Sequence, residues 1–154
     1  MELLLWRHAE AELGEPDLGR ALTSKGEKQA RRVAQWLHAH LPDSAHILVS
    51  PARRAQQTAQ ALAELTRREF ETVEAAAPGA TADELLAATG WPKPRQTVLV
   101  VGHQPTLGWL ASRLLTGAEA DWPIKKGGLW WLSSRSRGGI EQVVVRAVVS
   151  PDLI

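Results

Sequence analysis

The sequence predicts an α/β fold: a single-domain, three-layer α/β/α sandwich around a mostly parallel central sheet. Three observations carry this reading. Apolar runs of four or five residues recur without polar alternation, which suits strands covered on both faces. Segments with apolar residues at helical spacing separate them. Polar, chemistry-bearing residues follow directly on the apolar runs, at the carboxyl ends of strands where such sheets bind ligands. With 154 residues the chain has room for one substantial core, and one domain over 1–154 is expected.

The first strand is Leu3-Leu4-Leu5-Trp6, which stops at Arg7-His8. A loop bearing glycine and acidic residues runs to about residue 22. Residues 24–41 read as a helix: Ala30, Val33, Ala34, Leu37 and Leu41 recur at helical spacing, Ser24 and Glu27 have the spacing of a capping box, and Pro42-Asp43 ends it. His46-Ile47-Leu48-Val49 gives a second strand. Ser50-Pro51 suits an N-cap and first helical residue, opening a helix to about residue 67 with Ala55, Thr58, Ala59, Leu62 and Leu65 or Thr66 inward. Residues 70–74 predict a further strand. Residues 75–96 are irregular, punctuated by Pro78-Gly79, Gly90, Pro92 and Pro94, with a short helix at 82–89. Thr97 to Val101 is the clearest buried strand, closed by Gly102-His103. Pro105 suits the first position of another helix, with Leu107, Leu110, Ala111, Leu114 and Leu115 as its apolar face. Two last strands are expected near 128–133 and 141–149, joined by a loop at Ser134–Gly139.

Composition excludes several classes. Lysine and arginine number 18 against 17 aspartates and glutamates, so the chain does not resemble a protein that grips nucleic acid by bulk charge; a sum leaves local basic pockets open. The absence of cysteine excludes disulfides, thiolate catalysis and cysteine-ligated metal, and fits a reducing compartment. The first apolar run is too short for a signal-peptide core or a membrane span, and nothing else approaches about twenty apolar residues. The expectation is a soluble, cytoplasmic protein without a membrane partner. The five histidines show no His-Glu-x-x-His spacing, and His38 and His40 do not share a helical face, so no metal is expected. His46 likewise has no assigned role. Trp130 and Trp131 are adjacent, so in a strand one faces the core and the other the surface or an interface.

Taken singly, a histidine at a strand end is most often structural, and an arginine pair on a helix is most often solvated. Together they predict a chemistry. Arg7-His8, Ser50 with Arg53-Arg54 just beyond, and Gly102-His103 stand at three strand ends, and Arg20 lies in a loop that can fold back toward them. Three arginines around nothing would repel one another; around one phosphoryl dianion they are donors with a planar, two-pronged fork. A neutral histidine can attack phosphorus and form a phosphohistidine that water hydrolyses. Its ordinary pKa of about 6.5 permits that near neutrality, neighbouring arginines favour the neutral form further, and a bond from its other ring nitrogen to a carbonyl would fix the attacking tautomer. His8, directly after Arg7, is the better nucleophile candidate; His103 is the candidate donor to phosphoryl oxygens.

These residues fall in four blocks: Leu5-Trp6-Arg7-His8-Ala9, Arg20-Ala-Leu-Thr-Ser-Lys-Gly26, Ser50-Pro-Ala-Arg-Arg-Ala-Gln-Gln-Thr-Ala59 and Val100-Val-Gly-His-Gln-Pro-Thr-Leu107. In this order the chain resembles the histidine phosphatase superfamily, with its phosphoglycerate mutase-like fold, and within it the SixA-type protein-phosphohistidine phosphatases. The resemblance implies that Arg7, Arg54 and His103 surround the nucleophile His8, that Arg20 lies near the phosphate, and that Ser50 shapes the strand end and helix start beside the substrate. It implies no metal and no cofactor. Arg53 does not match the family's arginine; the Arg-Ala pair falls at 54–55. Many members carry an acid that protonates an alkoxide leaving group, where this chain reads Ala75-Ala-Ala-Pro-Gly-Ala-Thr-Ala-Asp-Glu84. Asp83 and Glu84 are the available carboxylates, and either could also simply begin the short helix. A P–N bond to imidazole asks less of an enzyme-bound acid, so the implied substrate is phosphohistidine on a protein, such as a histidine-containing phosphotransfer domain or a phosphocarrier. A small-molecule phosphomonoesterase and a non-enzymatic phosphoprotein-binding module are the alternatives.

Overall fold

A computed structural model describes residues 1–154. In chain order the elements are β1 (Glu2–Arg7), α1 (Ser24–His40), β2 (His46–Val49), α2 (Arg53–Thr66), β3 (Glu71–Thr72), α3 (Ala82–Thr89), β4 (Thr97–Gly102), α4 (Thr106–Thr116), β5 (Leu129–Arg137) and β6 (Ile140–Val149). The strands form one sheet in the order β3-β2-β4-β1-β5-β6. The first four pair in parallel, and β5 and β6 add an antiparallel flank beside β1.

The unbroken apolar runs arise because both faces of the central strands are covered. Successive side chains of β1 point to opposite faces. Leu4 and Trp6 join a core with Ile47, Val49, Leu99 and Val101 under α1 and α2. Leu3 and Leu5 join the opposite core with Leu48, Val98 and Val100 under α3 and α4. Leu3, Leu4, Leu5 and Trp6 have no exposed surface, and each fully buried leucine contributes about 1.5–3 kcal/mol to this packing. Trp131 lies in the first core and Trp130, half-buried, packs against the second, as adjacent strand residues must.

Four local readings are corrected. Thr23 caps α1, its hydroxyl accepting from Gly26 N–H at 2.9 Å, so the Ser24–Glu27 box does not form. The register follows from packing: a Cβ on Gly26 would lie 1.9 Å from the Glu10 carbonyl oxygen. The reciprocal capping box sits instead on α3, between Thr81 and Glu84. Helix α2 starts at Arg53, not at Pro51, because the Ser50 hydroxyl turns toward Ala52 N–H and His103 rather than capping the helix. The strand expected at 70–74 pairs only at Glu71 and Thr72. Finally, Ser134–Arg137 is strand rather than loop, and the turn is Gly138-Gly139, both at positive φ as a tight hairpin turn requires. This end of the hairpin is mostly exposed, so its polar residues carry no core pattern. No helix is long and apolar enough to cross a membrane.

Candidate active site

Sheet register gathers the predicted residues. Arg7 stands beside Gly102 in the β1–β4 pair, and Val49 beside Val101 in the β2–β4 pair. One residue further on, His8 N–H donates to Gly102 C=O and Ser50 N–H to Val101 C=O, each at 3.0 Å. His8, His103 and Ser50 therefore leave three adjacent strands in one row. The rings of His8 and His103 are 5.1 Å apart. Arg54 reaches the same place from the first turn of α2, and Arg20 from the loop before α1. Arg7, His8, Arg20, Arg54 and His103 line one cavity of about 230 Å³. Ser50 is fully buried behind His103 and does not line it. Arg53 is exposed.

The His8 segment is braced on three sides. Gly127 N–H donates to His8 C=O at 3.1 Å, Ala9 N–H donates to Thr58 Oγ1 at 3.0 Å, and Glu10 N–H donates to Gln29 Oε1 at 2.9 Å. His8 Nδ1 lies 2.7 Å from the carbonyl oxygen of Ala9. A carbonyl can only accept, so Nδ1 carries the proton and Nε2 presents a lone pair. Ser50 Oγ accepts from Ala52 N–H at 3.1 Å and lies 2.7 Å from His103 Nε2. With the hydroxyl donating to Nε2, the proton of His103 sits on Nδ1.

The electrostatics favour neutral histidines among fixed cations. Burial pushes His8 down to about 4; the Ala9 carbonyl opposes this, while Arg54, Arg7 and Arg20 add to it. Burial also pushes His103 down to about 3, with His8 and Arg54 contributing. Arg7 Nη1 donates to Ile124 C=O at 2.7 Å, and its pKa is lowered by burial. Arg7 Nε, Arg54 Nε and His103 Nδ1 are buried without a hydrogen-bond partner in the protein. An unpaired buried donor costs about 1–3 kcal/mol.

Three residues at the site were not legible as members of it. Asp17 accepts from Arg20 Nη1 at 3.1 Å and Arg54 Nη2 at 3.2 Å, and its carbonyl takes Arg54 Nη1 at 2.9 Å. The hydrogen bond from Arg20 holds the Asp17 carboxyl below its usual range. In the sequence this was only a charge pair three residues apart. Lys126 lines the cavity from the loop before β5, with no motif around it. Gln104 lines it too, and its neighbour His103 was the available signal; its amide ties Trp122 C=O to Gly108 N–H. From the alanine-rich stretch the cavity receives Pro78. Asp83 pairs with Arg113, and Glu84 accepts from Thr81 N–H. No group of three histidine, aspartate or glutamate side chains is placed to hold a metal ion.

A cavity of this kind can take a tetrahedral oxyanion, with half-buried Arg7, buried Arg54 and a histidine donating and a second histidine offering a lone pair. Comparison with known proteins gives the same direction. The sequence profile of the histidine phosphatase superfamily (branch 1) matches residues 3–77. Phosphohistidine phosphatase SixA of Escherichia coli is 30% identical over 124 residues, covering 76% of this chain and 76% of that protein. The phosphohistidine phosphatase SixA homolog of Haemophilus influenzae is 34% identical over 126 residues, covering 74% of this chain and 77% of its own length. The solved structure of the protein histidine phosphatase SixA complexed with tungstate superposes with a TM-score of 0.79 at 25% identity, covering 99% of both chains. These relatives support a phosphatase activity, and on their account the chain belongs to the histidine phosphatase superfamily, as a SixA-like member.

Proposed function

We propose that the protein is a phosphohistidine phosphatase that hydrolyses protein-borne phosphohistidine through a covalent phosphoenzyme on His8, without a metal. The observation that carries this reading is the 2.7 Å contact of His8 Nδ1 with Ala9 C=O, which frees Nε2 for attack beside three arginines. In the first step Nε2 attacks phosphorus and the P–N bond to the substrate imidazole breaks. The leaving nitrogen keeps that electron pair and takes a proton from solvent. In the second step water attacks, the electron pair of the Nε2–P bond returns to the ring, and inorganic phosphate leaves with the proton balance met by solvent. Arg7, Arg54 and the Nδ1 proton of His103 hold the phosphoryl oxygens as charge develops, a role worth about 3–4 kcal/mol for one donor. Arg20 adds its charge at the rim. Ser50 acts as a positioning residue through His103.

The substrate class rests on the leaving group. An alcohol leaving as alkoxide needs a poised acid, whereas imidazole leaves with a proton that solvent supplies near neutral pH. Asp83 and Glu84 are engaged with Arg113 and the α3 cap. The names of the Escherichia coli and Haemophilus influenzae relatives support the same substrate. The test is a paired turnover assay with EDTA present, comparing a phosphohistidine-bearing phosphotransfer domain with an aryl phosphate. A preference for the P–N substrate by a factor of hundreds is expected. Equal or better hydrolysis of the ester would make the protein a small-molecule phosphomonoesterase, and abolition by EDTA would refute metal independence.

A further inference from the structure

Beside the phosphoryl cavity lies a second groove, of about 400 Å³, whose lining includes Lys25, Lys28, Arg32, Lys125, Lys126 and Asp152. Lys126 lines both, so the two adjoin at that residue. All five cations are exposed. The one acid, Asp152, pairs with Lys125 at 3.5 Å, and the other four form no ion pair. In a chain of net charge +1 this is a pronounced local excess.

The placement runs against local stability. Lys25, Lys28 and Arg32 share a face of α1 at spacings of three and four, where like charges repel. Lys25 also lies in the first turn of α1, at the positive end of the helix dipole. The groove is fixed firmly to the site. A Cβ on Gly127 would stand 3.2 Å from Gln29 and 3.3 Å from Pro151, so the wall carrying Lys125 and Lys126 packs directly on α1. Gln29 and Gly127 are the residues that bond Glu10 N–H and His8 C=O. A ligand seated in the groove is thereby held at a set distance from the nucleophile.

We infer that the groove formed by Lys25, Lys28, Arg32, Lys125 and Lys126 is the docking face for an acidic surface of the protein that presents the phosphohistidine. This rests on the phosphohistidine reading of the adjoining cavity. A free phosphoramidate would fill the smaller cavity and leave the groove untouched. A protein carrying carboxylates around its phosphohistidine would meet both, gaining association rate and orientation from the charge match.

The test uses two synthetic phosphohistidine peptides, one flanked by glutamates and one by lysines, together with phosphoimidazole. They are assayed with the full chain and with its K25E/K28E variant. Both lysines are exposed, and at Lys25 in the first turn of α1 an acid suits the helix dipole, so the variant is expected to fold, as an unchanged melting temperature would verify. At low salt the acidic peptide is expected to exceed the basic one by about tenfold or more in kcat/KM, with convergence near 0.5 M salt. The variant should lose that preference while its turnover of phosphoimidazole stays the same, since neither lysine lines the phosphoryl cavity. Equal turnover of the two peptides at low salt, or a preference that survives in the variant, overturns the inference. Failure to turn over either peptide or phosphoimidazole, with an aryl phosphate still hydrolysed, overturns the phosphohistidine reading and the inference with it.

Discussion

At the scale of single residues, burial and the surrounding arginines keep His8 and His103 neutral well below the ordinary pKa of histidine. His8 is lowered to about 4 and His103 to about 3 from 6.5. The consequence for stability has a definite sign. In the unfolded chain both histidines take up protons as pH falls below about 6.5, whereas the folded protein resists until their lowered values. Stability is therefore full above pH 6.5 and is lost as pH falls toward about 4 and then 3. Denaturant titrations across this range should show a His8→Asn variant losing less than the parent; identical losses would place His8 in an ordinary, solvated state. The acid limb of kcat/KM is likewise expected near pH 4 rather than 6.5. Arg54→Ala removes a buried guanidinium from the cavity and should lower kcat/KM by about 100- to 1,000-fold, with an unchanged circular dichroism spectrum. An unchanged rate would remove Arg54 from the transition state.

Elements reach the site through close contacts that pattern alone does not show. Helix α1 can abut the His8 loop only because Gly26 lacks a side chain facing Glu10 C=O. Gly26→Ala must shift backbone against backbone, and overpacking of this kind costs about 1–3 kcal/mol. In a chain of this length each kcal/mol lowers the melting temperature by about 2–4 °C. Lys28→Ala, exposed on the same helix, should change stability by less than about 0.5 kcal/mol. If the two variants melt alike, the contact is not tight. The same contact explains a misreading of the sequence. Ser24 and Glu27 have the spacing of a capping box, yet packing on Glu10 places Gly26 third in the helix and passes the cap to Thr23. The central strands and the helices themselves were legible, since each has one or two apolar faces to bury, whereas β3 is exposed and buries none. Caps, the true start of α2 and the outer half of the β5–β6 hairpin were not, because contacts distant in sequence decide them.

Across the whole molecule, parallel topology brings His8, Ser50 and His103 together from strand ends over forty residues apart in sequence. This convergence could be read from the sequence because parallel strands share a carboxyl end. The position of Asp17 between Arg20 and Arg54, and of Lys126 at the rim, could not, since loops placed them there without a repeating pattern. The basic groove was hidden for a related reason: a net charge of +1 sums over the surface and does not report where cations gather. In the proposed mechanism phosphoryl transfer passes through Nε2 of His8. The most direct measurement is rapid quenching during turnover of a radiolabelled phosphohistidine substrate, followed by mapping of the labelled peptide. A base-stable, acid-labile label on the peptide containing His8, absent from His8→Asn, is the expected result; steady turnover by His8→Asn, or label on another residue, would contradict it.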